Sequence, residues 1–536
     1  MEGFPEEPRR VRPEIAAIPL IVAATFTFRA KSLVVGVGAD EFSLLAMAEV
    51  IREGGFPYAS FWDVRPPLAY LWGLPSAFIE DAATAIKTLR LMALFAQGIT
   101  AWLFFCLFRR QLGSLAAALG TVALLASVNM AELHHLAVPN HFAMTMSLGG
   151  FACVVEGVRR NSRPMYYLSA LLAGVLPWMM VHAALAALAI AALAVLGAWS
   201  KDRRWAWTWL AIASLPTVAV VGAYALWGPF DVFVRTVLLA PIDFVMEGLA
   251  RGTWFSLDRE TTGLSPAMLH YVVLLVVGIP ILAAMVRKAS PGSPLRLSPY
   301  LILPPVLPLV LMGYIKNTAP EYWIDAAPAA ALLVAASVYG LFSWNAWTAF
   351  AGNRYLRPSV LRGCVSIYIG LVLFLLTGPG KEKPEPALPP AYCEAAAGWI
   401  EQLEPGATVL DTSSLCSYWM LKSNARLHPP FTFTDHWFRQ LHMRWIGEAL
   451  SGDGAESTSA ERFAAAIGPA SAAGIILADG RIYDEIRERD WRTSFFRHWR
   501  LVWFRSVDGY GPGDRFSTLA IFVRRDTVPR AGSQWP

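Results

Sequence analysis

Two acidic residues and one basic residue near the start of the chain are best placed to do chemistry. Asp40 and Glu41 directly follow the first long apolar segment, and Arg65 lies further along, just before Pro66-Pro67. Charge this close to the hydrocarbon of a membrane is costly, so it commonly marks a functional site. One carboxylate can act as a general base on a hydroxyl or amine, and a guanidinium can hold a phosphate through two hydrogen bonds.

Each of these residues also has a purely structural interpretation. Asp40 can cap the helix that follows it, and Glu41 can favour the positive N-terminal end of that helix. Arg65 can simply extend its charge to the membrane surface. Asp63, in the same loop, is a candidate acceptor or cavity-lining residue and is also typical of a solvated turn. The residue types alone leave both interpretations open.

Long apolar segments must position these residues. The chain has 536 residues, is 55% hydrophobic and contains 21 Trp. Its apolar residues form runs of ~17–25 residues, the length that a helix needs to cross a bilayer, and in a membrane such runs must be helical. Eleven spans are predicted, at roughly 15–37, 88–108, 113–130, 141–158, 165–182, 184–199, 205–228, 267–286, 298–315, 322–343 and 363–379.

Basic clusters between the spans predict which side faces the cytoplasm. They lie at 9–12, 109–110, 159–163, 201–204, 287–288 and 354–362. With eleven spans they all fall on the N-terminal side, which the positive-inside rule makes cytoplasmic. The prediction depends on splitting the stretch 165–199 at Met180–Ala183, because a single span there would put the C-terminal tail in the cytoplasm. The small net charge of +5 therefore reflects topology rather than nucleic-acid binding.

The first outer loop, 38–87, is predicted to have structure of its own. Asp40 begins a helix with helical spacing of apolar residues, and Gly54-Gly55 ends it. Pro66-Pro67 breaks the chain before Leu68–Ile79, an apolar segment too short to span the bilayer. That segment suits a helix lying along the membrane surface.

The chain after residue 380 is predicted to be a soluble α/β domain. This divides the molecule into a transmembrane domain, 1–380, and an extracytoplasmic domain, 381–536. Ala391–Leu403 has the pattern of an amphipathic helix, and four strand-like runs follow at 408–411, 474–478, 501–505 and 518–523. Cys393 and Cys416 can form a disulfide if this domain lies outside the cytoplasm.

The first-loop motif resembles the signature of a known class of membrane enzymes. This chain has Asp40-Glu41 and then Trp62-Asp63-Val64-Arg65-Pro66-Pro67-Leu68. Polyprenyl-phosphate-dependent glycosyltransferases of the C-type (GT-C) superfamily have an Asp-Glu pair followed by an aromatic residue, an acidic residue and Lys/Arg-Pro-Pro-Leu. They include family 39-like enzymes, aminoarabinose transferases and protein O-mannosyltransferases. The resemblance implies a GT-C-like polytopic α-helical fold, with Asp40 as catalytic base and Arg65 on the donor phosphate.

A second resemblance lies at the outer start of the tenth span. Family members often have His-Tyr with a Pro six residues after the Tyr, and this chain has Glu321-Tyr322 and Pro328. Glu321 replaces the His, so histidine chemistry is not implied, and Glu321 is assigned to the cavity wall. Tyr322 and Lys316 are candidate donor contacts, although Tyr322 also fits the interfacial aromatic belt. Arg251 can complete a phosphate clamp or be an ordinary exposed loop charge.

A third, weaker resemblance concerns the start of the fourth span. Similar enzymes often have an acidic residue there, and this chain has Asn140-His141, with Glu132 upstream. Glu132 and His141 are candidate acceptor or cavity-lining residues. His134, His135 and His141 could also bind a metal ion, but they lack a zinc-type spacing. No metal ligand is assigned, and a divalent metal remains an alternative to a polar loop.

These expectations describe an integral enzyme of the bacterial inner membrane. It would transfer a sugar from a polyprenyl-phosphate donor to a lipid, glycan or protein acceptor on the extracytoplasmic face, with inversion. Its partners would be donor, acceptor and membrane lipids, and no nucleic acid. The alternative is a transporter or lipid flippase, which predicts related halves and charges at mid-membrane depth. The sequence has neither repeated halves nor consistent mid-span charges.

Overall fold

A computed structural model describes the parts of the chain that carry the apolar helices, the first loop and the C-terminal sheet. The described residues are 13–29, 39–58, 65–130, 139–199, 202–239, 279, 282–283, 285–287, 294–300, 322–342, 390–403, 408–411, 426–427, 474–479, 496, 499–506 and 518–525. The chain divides into two compact units. Unit 1 is Met1–Leu33, Leu91–Ala219 and Phe244–Glu382, and unit 2 is Val34–Arg90, Val220–Asp243 and Lys383–Pro536.

Helices dominate the described residues before position 380. They are α1 (Pro13–Arg29), α2 (Ala39–Arg52), α3 (Leu74–Ala77), α4 (Ala82–Met130), α5 (Pro139–Arg160), α6 (Arg163–Met179), α7 (Ala184–Trp199), α8 (Arg203–Trp227), α9 (Phe230–Phe233), α10 (Pro294–Leu297) and α11 (Tyr322–Phe342). Among these residues, three stretches are long and apolar enough to cross a membrane: Ala83–Leu125, Pro139–Arg160 and Arg203–Trp227. Most of the predicted spans 267–286, 298–315 and 363–379 lie outside the described residues, so the count of eleven stays a prediction.

Helix α4 is a hairpin of two antiparallel arms rather than one rod. At Gly113 the backbone leaves helical geometry, with φ 77° and ψ 159°, a conformation that glycine adopts readily. A Cβ on Gly120 would lie 2.9 Å from the ring of Phe104, whereas sixteen residues of straight helix would separate them by about 24 Å. The chain therefore reverses at Gly113, where the predicted spans 88–108 and 113–130 meet.

The apolar stretch 165–199 forms two helices, which confirms the predicted break at Met180–Ala183. Helix α6 ends at Met179, and a 3₁₀ turn over Val181–Ala183 leads into α7. The hydroxyl of Tyr166, near the start of α6, donates to the carbonyl of Ala194, near the end of α7, at 2.9 Å. The two helices are therefore antiparallel.

Helix α8 runs parallel to α6 in unit 1. The indole of Trp209 donates to the hydroxyl of Ser169 at 2.9 Å, and the indole of Trp178 donates to the hydroxyl of Thr217 at 3.0 Å. Later residues of one helix meet later residues of the other, so both run in the same direction. Between these contacts Gly174 lies so close to α8 that a Cβ there would be 2.2 Å from the carbonyl oxygen of Ala213. Small residues of this kind allow close helix packing in membranes.

In unit 2, the first-loop helix α2 has a well-defined end. The N–H of Gly54 donates to the carbonyl of Ile51 at 3.0 Å, and that of Gly55 to the carbonyl of Val50 at 2.8 Å. Together with the φ of 86° at Gly54, this is a Schellman motif, which satisfies the last carbonyls of a helix. The predicted stop at Gly54-Gly55 is confirmed.

The chain after Pro66 is helical in two short pieces instead of the single surface helix predicted over Leu68–Ile79. A 3₁₀-helix covers Pro67–Trp72, and α3 follows at Leu74–Ala77. Pro67 occupies the first 3₁₀ position, where a missing N–H costs nothing. Pro75, near the start of α3, cannot donate the N–H that a continuous helix would require.

The C-terminal residues of unit 2 form helix α12 and a five-stranded mixed sheet. Helix α12 is Pro390–Leu403, and the strands are β1 (Thr408–Asp411), β2 (Arg426–Leu427), β3 (Ile475–Asp479), β4 (Trp499–Ser506) and β5 (Thr518–Arg524). The strand order is β2-β1-β3-β5-β4. Strand β1 pairs in parallel with β2 and β3, whereas β5 is antiparallel to β3 and β4. The predicted helix and four strands match within two residues, and β2 was not predicted.

Candidate active site

Helix α2 carries both candidate acids. It begins at Ala39, so Asp40 lies within its first turn rather than at the capping position that the sequence suggested. The side chain of Asp40 lies outside the described residues. Glu41 is completely buried. Carboxylates in the first turn of a helix are favoured by the partial positive charge of its N-terminus.

Glu41 is bound to a cation that comes from α4. Its two carboxylate oxygens accept hydrogen bonds from Nε and Nη2 of Arg90, at 2.9 and 2.7 Å. Arg90 is only 2% exposed. This two-point geometry matches the planar guanidinium to the carboxylate, and a buried charge requires such a partner. The pair therefore fixes the start of α2 to the first turns of α4.

Arg65 lies at the entrance of the Pro-Pro segment, where its main chain is held by two tyrosines. The hydroxyl of Tyr58 donates to the Arg65 carbonyl at 2.5 Å, and the hydroxyl of Tyr70 donates to the same oxygen at 3.2 Å. Arg65 itself is half-buried, whereas both tyrosine side chains are completely buried. The next two residues are prolines, which have no N–H to offer an anion. Among residues 65–67, only Arg65 can therefore donate a hydrogen bond to an anion.

The segment after Arg65 packs closely against the helix that carries Asp40. A Cβ on Gly73 would lie 2.8 Å from the Cβ of Ala48 and 3.0 Å from the carbonyl oxygen of Leu44, both on α2. Glycine is thus required for this approach. The close packing gives the elements of Asp40 and Arg65 a fixed relation within unit 2.

The ring of Tyr58, whose hydroxyl contacts Arg65, packs in an aromatic cluster. Its ring centroid lies 5.6 Å from that of Tyr224 and 6.1 Å from that of Phe233. Tyr224 and Phe233 stack at 4.1 Å, and Phe56 meets Tyr224 edge-on at 4.9 Å. Tyr58 itself has a φ of 64°, which costs ~1–3 kcal/mol and persists only where the surroundings impose it. The buried ring and the bond to Arg65 are such surroundings.

Most of the remaining candidate side chains lie outside the described residues, so their positions relative to the site stay predictions. Tyr322 is the first residue of α11, but its side chain lies outside the described residues. Asp63, Glu132, Arg251, Lys316 and Glu321 also lie outside them. The same holds for Cys416 and the side chain of Cys393, so their pairing stays a prediction.

His141 is a completely buried residue of α5 in unit 1. Its carbonyl accepts a hydrogen bond from the Thr145 hydroxyl at 2.8 Å, and that hydroxyl lies 2.7 Å from the hydroxyl of Thr100 on α4. Next to it, Nδ2 of Asn140 lies 3.5 Å from Nε2 of His182. This is a polar contact region between helices. Within the described residues there is no group of three or more His, Cys, Asp or Glu that could hold a metal ion.

Sequence reasoning missed three residues of the site. Arg90 lies two residues inside the predicted span 88–108, and a lone cation at that position was a usable signal. Tyr58 and Tyr70 gave no such signal, because tyrosines are common at membrane interfaces whether or not they hold a functional loop.

The similarity of this chain to known proteins lies in its fold. No family model and no curated protein matches it. Among solved structures it is similar to ArnT from Cupriavidus metallidurans bound to undecaprenyl phosphate, with a TM-score of 0.53, 14% identity and coverage of 97% of this chain and 99% of that one. It is also similar to the Archaeoglobus fulgidus oligosaccharyltransferase tethered with an acceptor peptide, with a TM-score of 0.51, 12% identity and coverage of 98% of this chain and 74% of that one. This chain has the fold of the GT-C glycosyltransferases, as its first-loop motif predicted.

Proposed function

We propose that this protein is an inverting membrane glycosyltransferase that uses a polyprenyl-phosphate-linked sugar as donor. The acceptor is a lipid, glycan or protein, and the reaction takes place on the extracytoplasmic face of the bacterial inner membrane. The observation that carries the proposal is the packing of α2, the helix of Asp40, against the segment that follows Arg65. A candidate base and a candidate phosphate-binding cation thus lie on segments that pack against each other. The fold is shared with ArnT bound to undecaprenyl phosphate.

The chemistry is a single displacement at the anomeric carbon. Asp40 removes the proton from the acceptor hydroxyl or amine, whose oxygen or nitrogen forms the new bond to that carbon. The bond from the anomeric carbon to the phosphate oxygen breaks, and its electron pair leaves on polyprenyl phosphate. Arg65 stabilises the negative charge that develops there, as fixed cations do in transition states. Attack opposite the leaving group inverts the configuration.

The contacts of Glu41 support a different role from that of Asp40. Its carboxylate is occupied by Arg90 through two hydrogen bonds and is completely buried. Accepting a proton there would leave a buried cation without its counter-charge, which is strongly unfavourable. Glu41 is therefore a positioning residue that sets the start of α2, and Asp40 is the base.

The composition of unit 2 supports an extracytoplasmic site. The unit gathers Val34–Arg90, Val220–Asp243 and Lys383–Pro536. The basic clusters assign the loops 38–87 and 229–266 and the tail to the outside, and unit 2 contains the first loop, the start of the second and nearly all of the tail. The tail, 381–536, then forms the extracytoplasmic α/β domain. A donor whose tail lies in the bilayer suits this arrangement, because its sugar is presented at the membrane surface.

The experiment is release of undecaprenyl phosphate from an undecaprenyl-phosphate sugar by the purified protein. We expect Asp40→Asn to lower release at least about a hundredfold, since a general base contributes 10²–10⁴, while its affinity for undecaprenyl phosphate stays unchanged. Glu53→Gln is the matched control, because it removes an exposed carboxylate just beyond the end of the same helix. Normal turnover by Asp40→Asn would reject this base. Movement of the lipid across the membrane without release would instead indicate a flippase.

A further inference from the structure

We propose that Tyr58 and Tyr70 are positioning residues that hold Arg65 in its phosphate-binding geometry. This inference rests on the proposed function, because it concerns how the chain grips the donor phosphate. The two tyrosines lie on either side of Arg65 in the sequence, yet their hydroxyls meet at its carbonyl oxygen, at 2.5 and 3.2 Å. Both contacts are made to the main chain of Arg65, and the proposed contact with the anion is made by its guanidinium.

Two effects follow from this arrangement. A carbonyl oxygen has two lone pairs, and this one accepts hydrogen bonds from two hydroxyls, which offset part of its partial negative charge. In addition, Pro66 and Pro67 restrict the chain on one side, while the two hydroxyls fix the carbonyl itself. The guanidinium therefore starts from a rigid base, which lowers the ordering cost of binding.

The two tyrosines are anchored on different elements. Tyr70 belongs to the 3₁₀-helix Pro67–Trp72, next to α2. Tyr58 is buried against Tyr224 and Phe233, which belong to the end of α8 and to α9. The position of Arg65 thus depends on both the helix of Asp40 and a segment far away in sequence. Both hydroxyls are in buried surroundings, where hydrogen bonds are stronger than in water.

The test is binding of undecaprenyl phosphate to Tyr58→Phe, Tyr70→Phe and the double variant. Each change removes one hydroxyl and keeps the ring. We expect each single variant to weaken binding about two- to tenfold, as the loss of one hydrogen bond commonly does, and the double variant to weaken it further. In transfer assays the KM for the donor should rise in parallel, while kcat at saturating donor stays close to that of the wild type.

The same tyrosine change in an Arg65→Ala background distinguishes a positioning role of Tyr58 from a general contribution to protein stability. In Arg65→Ala the carbonyl that the tyrosines hold is still present, but the guanidinium is gone. We expect Tyr58→Phe to have no further effect on binding in that background, because the tyrosine acts through the guanidinium. The same fold-loss in both backgrounds would overturn the inference, and so would unchanged binding in the double variant.

The matched control is Tyr166→Phe, which removes a buried tyrosine hydroxyl bonded to the carbonyl of Ala194 in unit 1. It should lower the thermal midpoint without changing the affinity for undecaprenyl phosphate. The inference and the proposed function fail in different ways. A wild-type protein that binds undecaprenyl phosphate but never releases it from a donor sugar rejects the function, whereas the binding series alone decides the role of the tyrosines.

Discussion

Breaking the buried pair of Glu41 and Arg90 offers a sharp test of how α2 is held. Both side chains are at most 2% exposed, and two charge-assisted hydrogen bonds join them. Glu41→Gln removes the negative charge and leaves the guanidinium buried without it. Such a change typically costs ~3–5 kcal/mol. Because folded proteins are stable by only about 5–15 kcal/mol, this is a substantial part of the total.

The paired replacement separates the loss of the charge from the loss of the contact. In Glu41→Leu with Arg90→Met, no charge is left buried, and such exchanges are often neutral or stabilising. We expect this double variant to recover the thermal midpoint of the wild type and to retain measurable transfer, since Asp40 is unchanged. Complete loss of transfer in a stable double variant would instead place Glu41 in contact with substrate.

The assay is thermal unfolding in detergent, followed through tryptophan fluorescence, which the 21 Trp residues make sensitive. Arg160→Gln is the control, because Arg160 is 59% exposed in its ion pair with Glu156, and an exposed pair contributes only ~0–1 kcal/mol. The reasoning is refuted if Glu41→Gln unfolds at the same temperature as Arg160→Gln, or if the double variant is no more stable than Glu41→Gln.

Two further predictions concern the elements that surround the site. Gly73→Ala should destabilise the protein by ~1–3 kcal/mol through overpacking against α2. The control Gly222→Ala, with open space around it, should be neutral or gain up to ~1 kcal/mol of stability from helix propensity. Equal thermal midpoints for both variants would contradict the close packing of Gly73 against α2. Asp81 accepts hydrogen bonds from the hydroxyl and the N–H of Thr84, and these bonds, the hydroxyl first, lower the pKa of Asp81 below its usual 3.8. A carboxyl group with a lowered pKa stabilises the folded state at pH values above its usual pKa, and this stabilisation is lost as the pH falls through the lowered pKa. The thermal midpoint of Thr84→Ala should therefore lie furthest below that of the wild type at neutral pH and approach it in acid. A difference that does not depend on pH would show that ionisation of Asp81 plays no part.

Local pattern predicted a large part of the fold, and the reasons are physical. The stop of α2 followed from Gly54, because only a residue that tolerates a positive φ closes a helix in this way. The strands β1, β3, β4 and β5 followed from short apolar runs between polar segments. The two-residue strand β2 has no such pattern. Its existence depends on pairing with β1, a contact between distant residues.

The site itself was only half predictable. The motif drew attention to Asp40, Glu41 and Arg65, and the structure places their elements in one unit. The partner of Glu41 is 49 residues away in sequence, and nothing in local spacing pairs it with Arg90. The hydroxyls on the Arg65 carbonyl were equally hidden, since a main-chain acceptor is the same for every residue type.

The parallel course of α6 and α8 has a consequence for mapping experiments. Because α7 returns between them, the connectors at Asn161 and Asp202 emerge at one surface of the bundle, and the turn at His182 emerges at the other. The guanidinium of Arg163 lies 5.3 Å from the ring of Trp205, which joins the two N-terminal ends directly. For the predicted spans 165–182 and 184–199, we therefore expect reporters inserted at positions 161 and 202 to share a compartment and one at 182 to report the opposite compartment.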